Sequence, residues 1–214
     1  MKNLANFALL AGALFSLPAA HAGTHGVFSQ FQQDYVFTPT FSQLMACADI
    51  GCESRVKTGI RAEEANVIRA LFGGVTNAAQ ERRAIALALG KFELFVGRQE
   101  AVYTWGDLAR NTHVGRALQS RQTDCIAESH NATTYLLILA GQGLLRFHSV
   151  ADIVNRGFLV NAHYAASVHE RGTGAHFVVD TWFLANAFPA VVMPYAEWKS
   201  GKEAAYEREA LGLR

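Results

Sequence analysis

From Thr123 onward the chain leaves a polar turn, Gln122-Thr123-Asp124, for a segment whose second half, Tyr135-Leu136-Leu137-Ile138-Leu139-Ala140, is apolar on every side. A helix of that kind has no polar face to give to water, so it must be central and covered by its neighbours. Either Thr123 or Asp124 can serve as its N-cap, and Gly141 is the expected stop. Cys125 then falls in the first turn, where unpaired backbone N–H groups and the positive end of the helix dipole favour a thiolate over a thiol. A free cysteine more often fills space as a small buried hydrophobe, so a reactive role needs support from the rest of the chain.

The other elements follow from periodicity. Val67, Ile68, Leu71 and Phe72 form the apolar stripe of a helix over 62–72 that Gly73-Gly74 ends. Ile85, Leu89, Phe92 and Val96 recur at helical spacing over 78–96, ahead of Gly97. Beyond the central helix, 144–150 reads as a strand and 151–158 as a connection. Segments 162–168 and 175–183, rich in Val, Tyr, Phe and Trp, flank Glu170-Arg171-Gly172-Thr173-Gly174, a hairpin signal. Residues 23–41 read as an extended arm, the surroundings of Cys47 and Cys52 as a short helix or loop, and 103–123 as a polar loop of the kind that lines a cleft. The tail after Pro194 reads as a charged helix anchored by Trp198. Helices first, then the cysteine helix, then antiparallel strands is the order of an α+β fold.

Residues 1–22 carry the pattern of an export signal: Lys2, an apolar run from Leu4 to Leu17, and the A-x-A site Ala20-His21-Ala22. The expectation is a periplasmic or secreted protein whose mature part, 23–214, is one domain. No other stretch is long enough for a bilayer span, so no stable membrane insertion is expected after cleavage. With 19 basic against 18 acidic side chains and no basic block, the chain lacks the clustered cations that nucleic acid requires. In an oxidising compartment Cys47 and Cys52 can close a small loop, which leaves Cys125 as the odd thiol. One C-x4-C without a second ligand pair makes no zinc site.

Nucleophilic catalysis by cysteine needs a base within hydrogen-bond reach and a third group that orients the base. His163 and Asp180 fit those roles, one on each strand of the hairpin. A loop at 170–173 pairs His169 with Gly174 and His163 with Asp180, since both pairs sum to 343; a slip of two leaves the latter diagonal but within side-chain reach. His176, four residues from Asp180 along one strand, would be roughly 13 Å away. His169 and His176 are therefore expected near the turn, facing solvent. His25 and His113 have no evident partner, and His130 sits about 140° around the helix from the sulfur. Asn131-Ala132-Thr133 matches a glycosylation pattern but falls inside the buried helix.

Cys125, then His163 after 38 residues (163 − 125), then Asp180 after 17 more (180 − 163), with Asp124-Cys125, His163-Tyr164-Ala165 and Val178-Val179-Asp180-Thr181-Trp182-Phe183, resembles the transglutaminase-like superfamily of papain-like folds. The likeness is greatest to the bacterial transglutaminase-like cysteine proteinases and spans 105–198. The resemblance implies helices packed on an antiparallel sheet, a protein or peptide substrate, no cofactor, and acyl transfer from an amide through a thioester. It makes Cys125 the nucleophile, His163 the base and then acid, and Asp180 the orienting carboxylate. The oxyanion would meet the Cys125 backbone N–H and one side-chain donor, for which Gln119, Gln122 and Trp105 are candidates. Two departures stand out. Gln-Thr-Asp replaces a glycine-containing turn, and Asp124 beside the sulfur opposes thiolate formation unless its carboxylate turns back to cap the helix. The acidic clusters of calcium-binding members are missing, so no metal is expected. Two alternatives compete: a protein-crosslinking or cell-wall peptide-cleaving acyltransferase, and a non-catalytic member that binds a partner in its cleft. The NlpC/P60 group also opens a helix with Asp-Cys, but its histidine strand carries a glycine-valine pattern absent here.

Overall fold

The computed structural model describes residues 38–48, 50–98, 123–157, 162–210 and 212. The segments expected to be an export signal (1–22), most of the arm, and the polar loop with Trp105, Gln119 and Gln122 lie outside the described residues. The described part is mixed α and β, as expected. The elements are β1 (Leu44–Ala48), a 3-10 turn (Ile50–Cys52), β2 (Ser54–Thr58), α1 (Ala62–Ala70), α2 (Ala78–Gly97), α3 (Cys125–Gly141), β3 (His148–Arg156), β4 (His163–Glu170), β5 (His176–Asp180), β6 (Val191–Pro194), α4 (Tyr195–Lys199) and α5 (Glu203–Ala210).

Helix α3 is the central helix that its composition demands. Tyr135, Leu136, Ile138 and Leu139 are wholly buried. Tyr135 stacks on Phe92 of α2 at 4.6 Å between centroids, and Phe92 on Phe41 at 5.6 Å. Asp124, not Thr123, is the N-cap: its carboxylate accepts from the Ala127 N–H at 2.9 Å. Gly141 is the last helical residue, while Gly143 takes the left-handed conformation (φ 68°) that turns the chain away. Helix α2 starts at Asn77, whose side chain accepts from the Gln80 N–H at 2.9 Å, and buries Ile85, Leu89, Phe92 and Val96.

Four antiparallel strands form one sheet in the order β3-β4-β5-β6. Ala166, Val168 and Val179 belong to the core shared with α2 and α3. Ala165, Val178, Val191 and Met193 pack instead with Trp198 of α4. Alternation along the strands thus places His163 and Asp180, with Ala165 and Val178, on the Trp198 face.

Several expectations are corrected. Residues 151–156 continue β3 rather than forming a connection; a bulge between Ala151 and Val154 absorbs the break in alternation, and Arg156 pairs with His163. In the β4–β5 hairpin His169 pairs with His176 and Ala166 with Val179, sums of 345 and not 343. The cause is Gly174, whose φ of 72° draws it into the loop, so that the Glu170 N–H bonds the Ala175 carbonyl at 2.8 Å. His163 and Asp180 are therefore diagonal. The short helix expected around the cysteines is limited to the 3-10 turn Ile50–Cys52; Cys47 lies on β1, which pairs with β2 as a β-hairpin. Strand β6, for which the pattern carries no clear signal, closes the sheet beside β5. No described helix is long and apolar enough to cross a membrane.

Candidate active site

Cys125 is the first residue of α3 and is half-buried. Its neighbour Asp124 is turned back onto the backbone, as capping requires: Oδ1 accepts from Ala127 and Oδ2 accepts from the Gly51 N–H at 3.0 Å. Gly51 lies in the loop closed by the Cys47–Cys52 disulfide, and both cysteines pack against Ala127. Asn131, one turn farther along α3, bonds both backbone groups of Cys47, accepting its N–H at 2.7 Å and donating to its carbonyl at 3.0 Å. Asn131 is 2 % exposed, which closes the glycosylation pattern to any glycan. The disulfide loop is thereby docked on the first two turns of the helix.

His163 opens β4 and is 8 % exposed. Its Nε2 lies 2.8 Å from Asp180 Oδ2. The same oxygen accepts from Trp198 Nε1 at 2.8 Å, and Oδ1 accepts from the Trp182 N–H at 3.1 Å. Three N–H donors therefore converge on one carboxylate. The imidazole is walled by Trp182, Phe183 and Trp198, with centroids 4.8, 5.3 and 5.7 Å away. Cys125 Sγ contacts the carbonyl of Ala162, the residue just before His163, at 3.8 Å. With Nε2 committed to Asp180, Nδ1 is the nitrogen left for the sulfur.

Burial alone would lower the His163 pKa; the charge and hydrogen bond of Asp180, reinforced by Cys125, outweigh it and push the value up to about 9. At neutral pH the ring is an imidazolium held between a carboxylate and a sulfur. His130 goes the other way: burial, with the charge of Arg55, pushes it down to about 4, so it is a neutral buried side chain and no base for Cys125. His169 is exposed, as expected. His176 is not solvent-facing, because α4 lies over it: its ring is sandwiched between His169 at 4.3 Å and Tyr195 at 4.6 Å, and burial lowers its pKa.

Sequence reasoning brought Cys125, His163 and Asp180 together and missed the groups that hold them. Trp198 was read only as an anchor, although a buried indole N–H requires an acceptor. Gly51 could not be found without the loop's docking. The oxyanion candidates Gln119, Gln122 and Trp105 lie outside the described residues. Among the described residues no three His, Cys, Asp or Glu side chains are placed to hold a metal ion. A groove of about 450 Å³ lined by Arg83, Leu87, Phe177, Val192 and Tyr206 contains none of the residues above. No family model, no curated protein and no solved structure matches the chain.

Proposed function

We propose that the protein is a cysteine-dependent hydrolase of amide bonds, resembling the transglutaminase-like cysteine peptidases and sharing their papain-like arrangement. The observation that carries this reading is His163, bound through Nε2 to a carboxylate with three N–H donors and raised to about 9 with Cys125 among the causes. An imidazolium facing sulfur at a helix N-terminus favours the thiolate. The thiolate attacks the substrate carbonyl, and the Cys125 backbone N–H, which at the first helical position has no partner within the helix, meets the oxyanion. His163 then passes its proton to the leaving amine, which departs and leaves a thioester on Cys125. Neutral His163 takes a proton from water, the hydroxide opens the thioester, and the acid leaves with Cys125 returned to the thiolate beside the His163 imidazolium. Asp180 keeps the ring oriented and stabilises its charge throughout.

An exported protein or peptide is the substrate class, and residues 1–22 are the export signal. The Cys47–Cys52 bond supports that location, since such bonds persist in oxidising compartments. Comparing the termini of exported proteins from cells carrying wild type and Cys125→Ala tests the reading. Termini present only with wild type are expected; identical sets from both would overturn it.

A further inference from the structure

Glu128 is hydrogen-bonded to a residue beside each half of the site. It sits on α3 one turn after Cys125 and is 7 % exposed. Thr123 Oγ1 donates to its Oε1 at 2.5 Å, and Thr181 Oγ1 donates to its Oε2 at 2.9 Å. Thr123 lies two residues before Cys125, and Thr181 directly follows Asp180. Both threonines are themselves buried, at 4 % and 9 % exposure. We propose that Glu128 is a positioning residue whose carboxyl group, by bridging Thr123 and Thr181, sets the placement of the Asp180–His163 pair relative to Cys125. The proposal rests on the hydrolase reading above.

The chemistry of the bridge supports it. Among the described residues its side-chain hydrogen bonds run to two neutral hydroxyls. A buried carboxyl group without a counter-charge costs stability, and an apolar side chain of that size would fold more cheaply there. Buried, perturbed carboxyl groups cluster at functional sites. Burial raises the Glu128 pKa against the pull of the Thr123 and Thr181 hydrogen bonds, and the charges of Asp180 and Asp124 add to the rise. Behind it, burial and then the charge of Glu128 push Glu93 of α2 well above the ordinary carboxylic value, while Glu93 Oε2 accepts from the Ala187 N–H at 3.0 Å. A glutamine keeps the side chain's length and one accepting oxygen, and its amide N–H can donate to a threonine hydroxyl that rotates to accept, whereas alanine removes the bridge.

The test reads the His163 imidazole by 13C NMR across pH in wild type, Glu128→Gln, Glu128→Ala and Thr181→Val, alongside thermal melting and Cys125 alkylation by iodoacetamide. Glu128→Ala should lower the His163 midpoint by about one unit or more, because a freed Asp180 supports the imidazolium less, and should slow alkylation at pH 7 about tenfold. Thr181→Val, which removes only a hydroxyl, should shift both in the same direction even if the alanine variant fails to fold. Glu128→Gln should restore both to near wild type. A lower melting point with an unmoved His163 midpoint would overturn the bridge, as would a glutamine variant as impaired as the alanine one. A wild-type Cys125 alkylated like an ordinary thiol would instead count against the hydrolase reading, with the NMR midpoints still deciding the bridge.

Discussion

Replacing Asp180 with asparagine keeps the shape of the side chain and removes its charge. The three N–H groups of His163, Trp198 and Trp182 converge on two oxygens, and an amide offers only one. Whichever way the amide turns, at least one of these donors faces an NH2 group. In wild type His163 is raised from 6.5 to about 9 against burial, with Asp180 the largest raising influence. The difference corresponds to about 3 kcal/mol between the two protonation states. Without the carboxylate the value should fall to about 6.5 or below, since burial then meets little opposition. At pH 7.5 the imidazolium fraction would drop from nearly all to roughly one tenth, so Cys125 alkylation and any Cys125-dependent hydrolysis should fall about tenfold from protonation alone. Iodoacetamide kinetics from pH 5 to 10, with the His163 NMR midpoint, measure this. The same shift sets a stability profile. Because the folded value exceeds the unfolded one, the contribution is fully present below pH 6.5 and disappears as pH rises through about 9. Urea midpoints of wild type should therefore decline over that window, and those of Asp180→Asn should decline less. An asparagine variant whose His163 still titrates near 9 would refute the reasoning.

Three further outcomes follow from the same geometry. His163→Ala should abolish the enhanced reactivity of Cys125, while His169→Ala and His176→Ala, which lie at the turn end of the hairpin, should leave it within about twofold; iodoacetamide rates at pH 7 decide, and the reverse pattern would sink the triad. Gly90→Ala should lower stability by about 1–3 kcal/mol in urea melts, because a Cβ there would stand 2.5 Å from the Phe188 carbonyl oxygen. Joint Cys47→Ser and Cys52→Ser should cost about 2 kcal/mol, small because the closed loop is short, yet should slow alkylation of Cys125 in the folded variant; an unchanged rate would show that the loop does not support the helix start.

What could be read from the sequence was whatever depends on neighbours in the chain. The all-apolar run from Tyr135 to Ala140 demanded burial, Gly97 marked the end of a stripe at helical spacing, and the Gly-rich hairpin brought His163 near Asp180. The hairpin's register was off by two because several residues can form a four-residue loop, and the choice fell to the left-handed Gly174. Strand β1 escaped notice since Leu-Met-Ala-Cys-Ala has little strand character of its own; what fixes it is Asn131, 84 residues away, holding the Cys47 backbone. The contacts from Trp198 to Asp180 and from Thr181 to Glu128 are likewise long-range, and no periodicity announces them.

The disulfide loop has one more implication, for the order in which the molecule matures. Gly51 and Cys52 both sit in left-handed backbone, at φ 64° and 62°, a conformation that costs a non-glycine residue such as Cys52 about 1 kcal/mol or more when left to itself. The tether to Cys47 offsets that cost and so helps the turn present the Gly51 N–H to Asp124. In a chain that has not met an oxidant Asp124 is expected to keep one of its two donors, the Ala127 N–H, so the first turn of the central helix, with Cys125 in it, should be held less firmly before the bond forms than after.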